Sequence, residues 1–282
     1  MTRFTWPPRP APSAPPPGTA TLRVAPPPPA SPLRSIERTW LGLTTPPLAE
    51  RIAAAGWTPD EPYLYCSRCG HNVGPHESDD TGCPRCRGKR FPWQRLVRLG
   101  EYSGLLRECV QEVKFTRWRR LGHELGVLLG RSLSRALDDA AVPRERCALV
   151  PVPCSFRRRI ARGIDHTLVL TRGVAAATGL PIVHALARSH RPTQLSLPAS
   201  QRAANVAGSI RPRRGHDLAG RLVILLDDVT TTRATLLAAA RALQGCRKPM
   251  SDNKMRESDD LWTAVISVTP HPDEPPRPSP IP

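Results

Sequence analysis

The chain has no long apolar run. Nothing in its 282 residues approaches the roughly 20 predominantly apolar positions that span a bilayer. The most apolar helical stretch, 121–137, is interrupted by His123, Glu124 and Arg131. The first thirty residues also lack the apolar segment of a secretory signal. Together these absences point to a cytoplasmic protein with no membrane insertion. Acids are scarce as well, with 24 Asp and Glu against 41 Lys and Arg, a net charge of +17. Such an excess draws polyanions. Its clusters at 117–120, 157–159 and 211–214 read equally well as a nucleic-acid surface and as solvated faces.

Proline is abundant but collects at the two ends, in 1–32 and 270–282, which read as extended or disordered tails. Between them, a chain that is 39% apolar can build a core. The expected organisation is a Pro-rich segment 1–60 with a short helix at 48–56, a cysteine module 61–92, an α/β domain 93–269 and a tail 270–282.

Four of the eight cysteines stand in two pairs, Cys66 with Cys69 and Cys83 with Cys86. Two Cys-x-x-Cys knuckles at this separation set four thiolates at the corners of a tetrahedron, with Gly70, Gly82 and Gly88 supplying tight turns. A redox pair explains one such motif; two favour a structural Zn²⁺ ribbon. Four protein ligands leave no open position for catalysis at the metal. His71 and His76 lie between the knuckles and read as solvated loop histidines, with replacement of a cysteine ligand as the alternative.

Helical periodicity follows over 102–113 and again over 121–137. Between them, Lys114, Phe115, Arg117, Trp118, Arg119 and Arg120 could stack on bases and neutralise phosphates. Packing of Phe115 and Trp118 against the core beneath the Arg stems is the preferred reading. The run ALVPVP at 148–153 is a short parallel strand, a cationic loop follows, and a helix is expected at 165–178, which makes a βα unit. A further strand at 182–188 leads into a polar segment through 206 that reads as a lid or as a surface connection. Residues 247–260 read as a surface insertion, and 261–268 as the last strand.

The stretch 222–236, LVILLDDVTTTRATL, organises the rest. A buried strand at 221–226 ends in Asp227 and Asp228, and a hydroxyl run enters a helix at 234–243. The free N–H groups and dipole at that helix start favour an anion. Thr230, Thr231, Thr232 and Thr235 can cradle a phosphate monoester, while the carboxylates accept hydrogen bonds from two ribose hydroxyls. An acid pair at a strand end also suits a metal-binding receiver-like domain, but the hydroxyl run fits a phosphoribosyl group better. No residue stands out as a nucleophile.

With this stretch, the paired knuckles upstream and the intervening KF, VPVP, RG, T-Q and RxxN segments in order, residues 66–268 resemble the ComF family of competence-associated, phosphoribosyltransferase-like proteins. The resemblance implies a type I phosphoribosyltransferase α/β fold, a central parallel sheet with helices on both faces, preceded by a zinc ribbon. It implies that Asp227 and Asp228 contact ribose, and that Thr231, Thr232, Ala234 and Thr235, with Thr230 and Arg233, surround the 5′-phosphate. Val152, Pro153, Cys154 and Ser155, with Arg157 and Arg162, would form the pyrophosphate loop, and Mg²⁺ would arrive with phosphoribosyl pyrophosphate (PRPP). A second reading is a DNA-handling protein with single-stranded DNA and other competence proteins as partners. Three departures from the family pattern stand out: Arg233 in place of Gly, Ile164-Asp165-His166 in place of Phe-Asn-Gln, and Cys154 in place of an aliphatic residue, read as a small buried hydrophobe. If position 233 needs a positive φ, arginine there costs about 1–2 kcal/mol, and its guanidinium could pair with the phosphate.

Overall fold

A computed structural model describes residues 46–74, 76–115, 119–154, 164–188, 209–216, 218–244 and 260–271. Expectations for the proline-rich segments, the 247–259 insertion, the polar 189–208 segment, Trp118, Ser155, Arg157 and Arg162 fall outside these residues. The chain divides into units Met1–Ala49 and Glu50–Pro282. The first is described only at 46–49, where helix α1 (Leu48–Ala55) begins; the second holds everything that follows.

Its centre is a four-stranded parallel sheet in the order β1-β6-β5-β2, formed by β1 (Arg95–Glu101), β6 (Leu261–Val268), β5 (Leu222–Thr230) and β2 (Cys147–Pro151). A single parallel bridge from Leu149 to Ile182 extends the β2 edge. β2 and β6 are buried along their whole length, as strands covered on both faces must be. On one face Val223, Leu225, Ala148, Val150 and Val265 pack with Leu236, Ala239, Ala240 and Leu243 of α5 (Ala234–Gln244). The alternate residues point to the other face, where α3 (Arg119–Asp139) and α4 (His166–Thr178) lie against the strands. Asp165 caps α4 by accepting from Leu168 N–H at 3.2 Å, a sequence-legible start. Helix α2 (Gly104–Phe115) precedes α3.

Two strand expectations change. The strand expected over 182–188 is regular only at β3 (Leu186–Arg188), which pairs antiparallel with β4 (Ile210–Pro212) in a separate two-stranded sheet. β5 runs four residues past its expected end, because Asp227, Val229 and Thr230 still pair with Val265, Ser267 and Val268. Asp227 therefore sits on a ladder rung and Asp228 within the same strand, held more rigidly than a loop would hold them. No helix among the described residues is long and apolar enough to cross a membrane.

Helices α3 and α4 approach closely because glycine removes the side chains between them. Gly122, Gly126 and Gly130 recur at the four-residue spacing of one helix face. A Cβ on Gly126 would lie 2.1 Å from the Leu170 carbonyl oxygen, and one on Gly173 would lie 2.2 Å from that of His123. Backbone cannot give way as a side chain can. Gly126→Ala is expected to destabilise by about 1–3 kcal/mol, despite the roughly 1 kcal/mol that alanine gains in a helix. Gly122→Ala, which meets only valine side chains at 3.0 and 3.2 Å, is expected to cost less, and urea titration of both variants reads the difference.

Candidate functional site

Strand β5 delivers both acids to the carboxyl edge of the sheet. There Asp227, Asp228, Thr231 and Thr235 line one cavity of about 300 Å³ together with Val152, Pro153, Cys154, Lys114, His166, Tyr102 and Arg188. Two segments far apart in sequence, the end of β2 and the end of β5, thus share one concavity, as loops at the carboxyl edge of a parallel sheet do. Thr230 is buried as the last residue of β5, while Thr231 and Thr232 are exposed. The Thr231 and Thr269 hydroxyls are 2.8 Å apart. Ala234 opens α5, and Leu237 N–H donates to the Arg233 carbonyl at 2.9 Å, which makes Arg233 the residue at the helix entrance.

Two residues not singled out as site residues from sequence complete the electrostatics. Lys114 Nζ lies 2.8 Å and His166 Nε2 3.0 Å from Asp228 Oδ2. Burial alone would raise the Asp228 carboxyl, but the His166 hydrogen bond and the Lys114 charge hold it well below the usual carboxylate range. Burial likewise opposes a charge on His166, yet Asp228 and Cys154 raise it to about 9. Asp227 moves the other way: burial and the neighbouring Asp228 charge push it up to about 7. Near neutral pH the cavity wall therefore carries three cations, Lys114, His166 and Arg188, one firm carboxylate and one partly protonated carboxyl. Such a balance suits an anion and makes the acid pair alone a poor seat for a bare divalent cation. Lys114 belonged to the KF segment and His166 stood in an amide position of the family pattern, so both carried a signal that pairwise reasoning in sequence could not place.

These shifts fix a pH dependence. His166, raised from 6.5, contributes stability that is complete below about pH 6.5 and lost as pH rises through about 9. Asp227, raised from 3.8, contributes stability lost as pH rises through about 7. Stability should thus fall on the alkaline side, with up to about 3 kcal/mol of the loss between pH 6.5 and 9 belonging to His166. His166→Gln is expected to flatten that part of a urea-unfolding profile.

Cys154 is half-buried at the cavity wall beside His166, which departs from the small buried hydrophobe expected from sequence. Phe115 is 73% exposed, which overturns its expected packing against the core. It ends α2 one residue after Lys114, whose side chain turns to the cavity while Phe115 turns to solvent.

Arg233 takes φ 62°, the left-handed conformation that glycine adopts freely, at a cost of about 1–2 kcal/mol. Its guanidinium does not take the phosphate-pairing position considered from sequence. Nε and Nη2 both donate to the Cys69 carbonyl, at 3.0 and 2.9 Å.

Cys69 belongs to the four-cysteine group. The sulfurs of Cys66, Cys69, Cys83 and Cys86 all lie within 4.8 Å of one another, with closest pairs at 3.5, 3.6 and 3.8 Å, and all four residues are buried. Tetrahedral coordination with Zn–S bonds of about 2.3 Å puts sulfurs about 3.8 Å apart, so the group can hold a structural zinc ion. Cys69 donates to Cys66 and holds it ionised, at about 3, while burial pushes Cys86 up to about 11. A divalent cation held there would offset the charge of the thiolates. Gly82 has φ 111°, and a Cβ there would lie 2.5 Å from Cys86 Sγ, so only glycine lets the second knuckle close. His76 is exposed as expected, but His71 is buried, its carbonyl accepting from Cys66 N–H at 2.8 Å. The knuckles pack on the sheet: a Cβ on Gly70 would meet Leu96 and Val268 at 2.8 and 2.9 Å.

Taken together, the fold and the site define an α/β protein with a parallel sheet, a charged cavity at its carboxyl edge and a four-cysteine module packed beside it. No family model matches the chain. It is similar to DNA utilization protein YhgH of Salmonella typhi, with 30% identity over 185 residues, 63% of this chain and 77% of the relative. The proteins of that name from Salmonella typhimurium and Escherichia coli K12 are 29% and 28% identical, at the same coverage. The chain belongs to the YhgH family.

Proposed function

We propose that this protein binds a phosphoribosyl ligand, PRPP with Mg²⁺, in the cavity at the carboxyl edge, in the service of DNA utilization and uptake. The observation that carries the reading is the convergence of Asp227, Asp228, the hydroxyls of Thr231 and Thr235, and the Val152–Cys154 segment on one cavity. On this reading Asp227 and Asp228 accept from the ribose hydroxyls, and the Thr230–Thr235 turn with the first N–H groups of α5 holds the 5′-phosphate. The segment 152–155, with Arg157 and Arg162, takes the pyrophosphate. Mg²⁺ enters with those phosphates, since two cations already offset the acid pair. Transfer would stabilise charge at the ribose carbon by positioning and neutralisation, with no protein nucleophile. The proposed organisation is a zinc ribbon at 61–92 and a phosphoribosyltransferase-like domain at 93–269, between Pro-rich segments 1–60 and 270–282, with a cytoplasmic location.

Titration calorimetry with Mg²⁺–PRPP tests the reading. Saturable binding is expected from the wild type, and Asp228→Asn should weaken it at least tenfold. A wild type that gives no heat at millimolar ligand would remove the proposal.

A second reading, a DNA-handling protein with a degenerate phosphoribosyl site, is favoured by the exposed Phe115 beside the exposed Arg119 and Arg120 and by the relatives' link to DNA utilization. An aromatic flanked by cations stacks bases and neutralises phosphates. Single-stranded DNA affinity should then fall steeply with salt; a flat salt profile contradicts it.

A further inference from the structure

Arg233 and Cys69 are 164 positions apart in sequence, yet they share two hydrogen bonds. The guanidinium also lies over the Phe91 ring, 5.9 Å from its centroid. Phe91 packs against the four cysteines and against the main core, and stacks on Trp93 at 5.1 Å. Trp93 in turn donates from Nε1 to the Arg68 carbonyl at 2.9 Å. Arg233, Phe91, Trp93 and Arg68 thus form a continuous chain of contacts from the hydroxyl turn after β5 to the first cysteine knuckle.

We propose that Arg233 is a positioning residue that couples the four-cysteine metal site to the phosphate turn, so that metal retention and phosphate binding strengthen each other. The inference rests on the phosphoribosyl reading of the turn and on the fit of the cysteines to a metal. A metal held through Cys69 Sγ fixes the backbone of that residue and the direction of its carbonyl. The carbonyl holds both guanidinium nitrogens, and the short stem from the guanidinium back to the main chain keeps residue 233 in its left-handed conformation. That conformation aims the first N–H groups of α5 and the Thr231 and Thr235 hydroxyls. With the knuckle loosened, that tether no longer opposes the strain at 233, and the turn relaxes toward ordinary backbone. Because coupling between two binding events is reciprocal, a ligand that orders the turn also tightens Arg233 on Cys69 and slows the loss of metal.

Glycine at 233 would adopt the same φ without a tether. Arginine replaces that freedom with a bond to the knuckle, and the coupling is the consequence. Arg233→Gly is therefore the informative variant: it keeps the turn conformation accessible and deletes the link.

The test uses the full-length, zinc-loaded chain and follows zinc release to a colorimetric chelator, with ribose 5-phosphate as the probe and no added Mg²⁺. Without ligand, Arg233→Gly is expected to release zinc at least fivefold faster than the wild type, since the Cys69 carbonyl loses both donors. Equal rates would overturn the strut whatever the turn binds. With saturating ribose 5-phosphate, release from the wild type is expected to slow at least fivefold and from Arg233→Gly less than twofold. Equal slowing in both chains, or calorimetric binding with no slowing in the wild type, would overturn the coupling alone. Failure of the probe to bind the wild type at all would overturn the phosphoribosyl reading and the coupling with it, while the ligand-free rates would still decide whether Arg233 braces the knuckle.

Discussion

Replacing Cys66 and Cys83 with serine is expected to leave the purified chain without bound zinc and to lower its unfolding temperature sharply. One cysteine is lost from each knuckle, so the two remaining sulfurs cannot complete a four-ligand shell. Metal binding by such a site contributes on the order of 10 kcal/mol to folding, comparable with a whole-domain stability of roughly 5–15 kcal/mol. The damage should not stay in the knuckles. Leu96 N–H of β1 donates to the Ser67 carbonyl at 2.6 Å, Arg98 of β1 donates to the Gly70 carbonyl, and Gly70 packs directly on Leu96 and Val268. The edge strand of the main sheet therefore loses contacts when the knuckle opens. Elemental analysis of zinc per chain and a thermal melt read the result. Cys109→Ser is the control, because Cys109 lies buried on α2 outside the group, and its variant should keep one zinc. Full zinc content in the double variant would refute the assignment of the ligands.

The second large effect is expected at Arg98, a fully buried charge in the middle of β1. Its side chain is 1% exposed and that of Asp60 is 2%, with Nη2 2.7 Å from Asp60 Oδ2. Arg98 also donates to Asn72 Oδ1 and to the Gly70 carbonyl, and its guanidinium lies 4.9 Å over the Tyr65 ring. Removing one partner of a buried pair strands the other charge, which costs about 3–5 kcal/mol. Arg98→Leu and Asp60→Leu should each approach that loss in urea unfolding, and the double variant should lose much less than their sum. Additive losses would mean that the pair is not energetically linked. The surface pair Arg87–Asp79, with both side chains more than half exposed, contributes little because water screens it, and its removal serves as the reference.

Several elements were legible because their cause is local. Asp165 before an apolar-periodic run marks the start of α4; the run at 261–268 reads as a strand and is one. Strand β1 was not legible. Its sequence, RLVRLGE, places a charge where a buried strand shows an aliphatic residue, and only the partners Asp60, Asn72 and Gly70, 26 to 38 positions away, make that charge tolerable. Phe115 misled for the complementary reason: an aromatic at the end of an amphipathic helix reads as core, and its exposure depends on where the helix stops relative to the sheet.

What the sequence by itself determined is the chemistry in each short stretch: two knuckles with metal spacing, and a strand running into two acids, a hydroxyl turn and a helix. Period, capping and turn residues act over a few positions, so those features are written where they occur. Tertiary structure alone decided which of them meet. It set Lys114 and His166 against Asp228, joined the ends of β2 and β5 in one cavity, and turned Arg233 from the expected phosphate toward the Cys69 carbonyl. These contacts join residues 62 to 164 positions apart, and their energies exist only after the sheet and helices have packed.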